Sequence, residues 1–104
     1  MVKNVLPLTE TVYYILMAFQ KPTYGYLAIK DIEKMSLGKV RIAAGTMYGA
    51  IDTLLKNKMI NQIPSEVERR KIYQTTIYGN EVLAAEVERM AHCIHIWQDK
   101  HEMN

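Results

Sequence analysis

A chain of 104 residues, 49% hydrophobic and 23% charged, is long enough for one hydrophobic core, and this balance excludes global disorder. No apolar run approaches the roughly 18 residues that span a bilayer, and residues 1–8 lack the apolar centre of a secretory signal, so no membrane role is expected. A lone cysteine, Cys93, excludes an intrachain disulfide and fits a reducing cytoplasm. The net charge of +2 conceals a division along the chain. Residues 21–75 hold ten basic and five acidic side chains, a balance of +5, whereas residues 76–104 hold two against five, a balance of −3. A basic middle suits a polyanionic partner, and the acidic tail must serve something else.

The first predicted helix covers residues 9–19. Thr9 stands where an N-cap belongs, Glu10 complements the dipole in the first turn, and Lys21-Pro22 stops the helix. Leu8, Val12, Ile15, Leu16 and Phe19 recur at helical spacing and face a core. The second helix opens at residues 23–26 and reaches about Met35 through Ala28, Ile29 and Ile32. Gly25 near its start permits close approach by another element, and Gly38 takes the usual C-terminal role. Residues 39–42 (KVRI) alternate polar and apolar, the pattern of a very short strand. A third helix is predicted over roughly 44–58, with Met47, Ala50, Ile51, Leu54 and Leu55 on its apolar face. Thr46, Gly49, Asp52, Thr53 and Lys56 lie mainly on the other face.

Residues 60–64 read as a strand, residues 65–70 (SEVERR) as a polar turn and residues 71–75 as a second strand, together a hairpin with a charged tip. Thr76 caps a last helix that continues to about Glu102, some 37 Å at about 1.5 Å per residue. Leu83, Val87, Met90, Ile94, Trp97 and His101 follow the alternating four-three spacing of a helix-pairing seam. A helix running past a small body cannot cover such a seam alone, so it is expected to pair with its copy in a second chain.

These elements predict a mainly α fold with a small β-hairpin: a winged helix-turn-helix followed by a long C-terminal dimerisation helix. Residues 1–76 form the DNA-binding part and residues 77–104 the dimerisation helix, in one structural unit. The major groove admits one α-helix, whose first turns reach base edges, and a basic hairpin beside it reaches phosphates. The third helix presents Thr46, Tyr48, Gly49, Thr53 and Lys56 for that purpose, and Arg69, Arg70 and Lys71 stand on the hairpin. Glu66 and Glu68 partly offset these cations. Lys39 and Arg41, just before the third helix, are candidates for backbone contact. Thr46 can cap the third helix, a role that does not exclude a phosphate contact.

Four segments carry a resemblance: LTETVYYIL (8–16), YGYLAI (24–29), GTMYGAIDTLL (45–55) and ERRKIY (68–73). Together they resemble the PadR family of transcriptional regulators over residues 8–90. The resemblance implies a winged-helix body, a dimer through the last helix and operator binding that usually represses nearby genes. It places Thr46 and Tyr48 on the recognition helix, Tyr24 near the start of the second helix against a phosphate, and Arg69, Arg70 and Lys71 on the wing. The stretch 76–79 matches the family's threonine-to-glycine start of the last helix.

Double-stranded DNA and a second copy of the chain are therefore the expected partners. A winged helix used for protein–protein assembly is the alternative. A further one adds a planar small-molecule effector in the dimer seam beside Trp97, which otherwise serves as an interface anchor. Some drug-responsive family members stack planar compounds on a tryptophan of the last helix; the matching position here is Met90, and Trp97 falls later. His92, Cys93, His95 and His101 lack the four convergent ligands of a structural zinc site, so neither metal nor cofactor is expected. No phosphate loop, nucleophile elbow or paired carboxylates suggest an enzyme.

Overall fold

The computed structural model describes residues 5–67 and 69–102. The elements run α1 (Glu10–Ala18), α2 (Gly25–Met35), α3 (Ala44–Lys56), β1 (Ile60–Ile63), β2 (Ile72–Thr75) and α4 (Ile77–Glu102). Glu68, read from the sequence as part of the charged tip, lies outside the described residues, as do residues 1–4 and 103–104. No helix among the described residues is long and apolar enough to cross a membrane.

Local chemistry sets the helix ends. Thr9 is extended, and its Oγ1 accepts the Val12 N–H at 3.1 Å, which starts α1 as its sequence predicts. Past the C-cap of α2, Ser36, the chain turns left-handed at Leu37 (φ 57°) and Gly38 (φ 78°). The Leu37 N–H donates to the Lys34 carbonyl at 3.1 Å and the Gly38 N–H to the Glu33 carbonyl at 2.7 Å. This paired closure satisfies carbonyls at the helix end, with Leu37 at the position glycine usually takes and Gly38 one residue later. The end of α3 repeats it: Lys58 (φ 61°) donates to Leu55 at 3.1 Å and Met59 to Leu54 at 2.9 Å.

Residues 39–42 do not form the expected strand. Val40 and Ile42 are buried as their alternation requires, but no ladder pairs them; the Val40 N–H donates to Ser36 Oγ at 2.9 Å. Thr23 takes the place beside the sheet. It exchanges two backbone hydrogen bonds with Tyr73, at 3.1 and 2.8 Å, while the Thr75 N–H donates to the Phe19 carbonyl at 2.9 Å. On the other edge of β2, β1 pairs antiparallel with Ile60 opposite Thr75 and Ile63 opposite Ile72.

The core lies between the three-helix layer and the hairpin root. Ile15, Leu16 and Phe19 from α1, Ala28 and Ile32 from α2, and Met47, Ile51 and Leu54 from α3 meet Ile60 and Tyr73 of the hairpin. Phe19 and Tyr73 pack edge to face with centroids 6.1 Å apart. Met35, at the end of α2, is exposed.

The last helix begins inside the body and ends outside it. Thr76 Oγ1 accepts the Gly79 N–H at 2.9 Å, capping α4, and donates to the Lys58 carbonyl at 2.7 Å. Gly79 presses on the Met59 backbone, where a Cβ would run into the carbonyl oxygen. The buried residues of α4 are Gly79, Val82, Leu83 and Glu86. Leu83, read from the sequence as the first seam position, is instead a core residue with 4% of its surface exposed. Beyond Glu86 the helix projects, giving principal extents of 59 × 32 × 20 Å.

Candidate nucleic-acid interface

The interface starts from a missing side chain. Gly25, the first residue of α2, is buried beneath the ring of Tyr48 from α3; a Cβ there would lie 2.8 Å from Tyr48 Cε1. The two helices are thereby drawn together at the N-terminal end of α2. Tyr24, the N-cap of α2, is extended and makes no side-chain cap. Its ring instead receives the Arg70 guanidinium, whose carbon lies 4.2 Å from the ring centroid.

Tyr24, Tyr48, Arg69, Arg70 and Lys71 therefore share one cleft of about 480 Å³, five of the eleven residues read from the sequence as DNA-contacting. Gly25, Ile51, Asp52, Val67 and Tyr73 complete its lining. Among the described residues, Asp52 is the one acid lining the cleft, together with the three wing cations. Burial, then the nearby charge of Asp52 and the Tyr48 ring, pushes the Tyr73 hydroxyl above the ordinary tyrosine range. It therefore stays neutral and keeps its proton to donate.

Thr46, Gly49, Thr53 and Lys56 are exposed along α3 and do not line the cleft. Thr46 is not the cap: Ala43 holds that position without a side-chain acceptor, and Thr46 stands in the first turn. Thr53 Oγ1 donates back to the Gly49 carbonyl at 3.1 Å. Around Gly45 and Gly49 an added Cβ would find open space, so the α3 backbone is uncovered at these two positions. Lys39 and Arg41 lie outside the cleft. Arg41 Nε stands 3.7 Å from the Glu33 carboxylate of α2, an exposed pair of small energetic weight.

Sequence reasoning passed over Lys30, whose Nζ lies 4.6 Å above the Tyr26 ring on the exposed side of α2. A side-chain hydrogen bond with Tyr26 is the main cause holding its ammonium above the ordinary lysine range. Their spacing of four on one helix was the available signal.

On α4, Val87, Ile94 and Trp97 are exposed, Trp97 by 62%. Met90 is half-buried. The imidazole of His101 stacks on the Trp97 indole, with centroids 4.0 Å apart and planes 16° from parallel; its Nδ1 lies 2.8 Å from the Trp97 carbonyl oxygen. No three His, Cys, Asp or Glu side chains converge as metal ligands among the described residues.

Two helices locked at Gly25, with a basic hairpin folded over the second of them, define a winged-helix DNA-binding protein. The profile of the PadR-like family of transcriptional regulators matches residues 12–85, and the chain belongs to that family. No curated protein sequence matches it. Among solved structures, a transcriptional regulator from Clostridium thermocellum superposes with a TM-score of 0.70 at 23% identity, covering 85% of each chain. A PadR family regulator from Eggerthella lenta gives 0.67 at 26% identity over 95% of this chain and 82% of that one. A PadR-like regulator from Bacillus cereus gives 0.68 at 22% identity over 95% and 93%. Family membership makes the protein a transcriptional regulator and not an enzyme.

Proposed function

We propose that the protein binds a palindromic operator as a homodimer and represses transcription by occupying it, in the cytoplasm. The observation that carries this reading is the Tyr24–Arg70 stack, which holds the wing beside the start of α2 and against α3. Arg69, Arg70 and Lys71 then face phosphates flanking the groove that α3 enters, and Tyr24 and Tyr48 add hydroxyl contacts. Thr46, Gly49, Thr53 and Lys56 form the surface turned to the base edges, with Lys39 and Arg41 near the backbone before α3. Val87, Met90, Ile94, Trp97 and His101 on the projecting part of α4 support the pairing of two chains, since an exposed apolar seam is costly in water. Pairing would set two recognition helices about 34 Å apart along the duplex.

Selection of duplexes from a random library, followed by anisotropy titration across salt concentrations, tests this. A two-fold symmetric consensus, a dimer by sedimentation and a steep fall of affinity with salt are expected. Arg70→Ala should weaken binding to every sequence and shallow the salt slope by about two per dimer. A monomer, or a chain that selects no duplex and instead binds proteins through its basic face, overturns the reading.

A further inference from the structure

Glu86 is the last fully buried residue of α4, at the point where the helix leaves the body. Its carboxyl is 2% exposed, and it is the one buried acidic or basic side chain among the described residues. Arg89 Nε donates to Oε1 at 2.9 Å and Arg89 Nη2 to Oε2 at 2.7 Å, a two-pronged grip within α4. Oε1 also accepts the Leu8 N–H at 3.2 Å, from the chain just before α1. The carboxylate thus ties the emerging helix to the N-terminal edge of the body. A cavity of about 300 Å³ opens beside it, lined by Leu8, Tyr13, Tyr14 and Met90, so apolar packing is looser on that side. A polar tie with defined directions adds the orientation that loose packing lacks.

The projecting part, residues 87–102, is about 24 Å long at about 1.5 Å per residue. A swing of about 10° at Glu86 displaces its far end by about 4 Å, more than the roughly 3.4 Å between successive base pairs. The angle at which α4 leaves the body therefore decides where a paired copy holds its recognition helix.

We propose that Glu86 is a positioning residue: gripped by Arg89 and bound to the Leu8 N–H, it fixes the exit angle of α4 and so the half-site spacing that the dimer accepts. The inference rests on the dimeric operator-binding reading. It assigns to Glu86 a role in specificity with no contact to DNA.

The test uses the duplex selected by the full-length wild-type protein, and copies with one base pair added or removed at its centre. The wild type is expected to lose about tenfold or more on the altered spacings. Glu86→Gln keeps the shape and an acceptor for the Leu8 N–H but loses the charged grip. It should lower affinity for the native spacing and compress the preference to within about threefold, with binding to an isolated half-site unchanged. Arg89→Gln, altered at a half-exposed residue outside the core, should do the same and serves if Glu86→Gln folds poorly. Variants that retain the wild-type spacing profile, or lose affinity equally on all three duplexes, overturn the proposal. A wild-type protein indifferent to spacing sinks the dimeric operator reading itself, a distinct failure visible before any variant is made.

Discussion

The Tyr48 ring covers the bare backbone of Gly25, and this contact joins the two helices of the DNA-binding motif at the point nearest the wing. The atoms that a Cβ on Gly25 would strike are at the far end of an exposed, rotatable side chain. Gly25→Ala should therefore swing Tyr48 aside and leave stability within about 1 kcal/mol of wild type, since alanine is the better helix former. Duplex affinity should fall roughly 3–10-fold, the scale of one displaced polar contact. Gly79→Ala meets the Met59 carbonyl, which cannot rotate away, and should cost about 2–3 kcal/mol in denaturant unfolding. Equal stability losses in the two variants would contradict this distinction.

Gly49 has no neighbour that requires a glycine, yet it stands inside α3. Its helix cost, about 1 kcal/mol against alanine, has no return within the chain. Gly49→Ala should raise the unfolding free energy by about that amount and weaken operator binding, because the new methyl stands on the face proposed to enter the groove. Greater stability with unchanged DNA affinity would remove Gly49 from the interface.

Lys58 closes α3 in a left-handed conformation that favours glycine. Among the described residues its exposed side chain makes no hydrogen bond or salt bridge, whereas its backbone carbonyl accepts from Thr76 Oγ1. Lys58→Gly should stabilise the chain by about 1 kcal/mol in urea titration. A loss of stability would mean that the lysine side chain contributes contacts of its own.

The Arg89 hydrogen bonds hold the Glu86 carboxyl below the ordinary range, outweighing the burial that pushes it upward; the Leu8 N–H adds to the lowering. The folded state thus prefers the ionised form more than the unfolded chain does. The resulting stability is fully present above the unfolded value near about 4.3 and is lost as pH falls through the lower folded value. Unfolding free energy measured from pH 6 downward should decline less steeply in Glu86→Gln than in wild type. Parallel pH profiles would show that other carboxylates account for the acid sensitivity.

Features fixed by neighbouring residues were legible in the sequence. The Thr9 and Thr76 caps depend on a hydroxyl three residues before the N–H it accepts, and the hairpin depends on two short strands around a polar turn. Residues 39–42 alternate as a strand does, but alternation reports burial, and pairing needs an open edge that Thr23 already occupies. Leu83 has the spacing of the seam and was misplaced because spacing does not say where a helix leaves its own core. Tyr24 and Arg70 could be named one by one, whereas the stack of Arg70 on Tyr24 joins positions 46 apart and has no sequence signature. Glu86 looked like one more charge in an acidic tail, since nothing local reveals its bond to Leu8.

The two hydrogen bonds between Thr23 and Tyr73 bind the base of the hairpin to the chain entering α2. When the protein settles on a curved or twisted stretch of duplex, the hairpin root cannot slide independently of the helix pair. The wing cation Arg70 is tied in as well, through its stack on Tyr24 at the start of α2. The protein thus meets DNA as one stiff reader, helix pair, hairpin root and Arg70 moving together, and favours stretches of duplex whose shape already suits it.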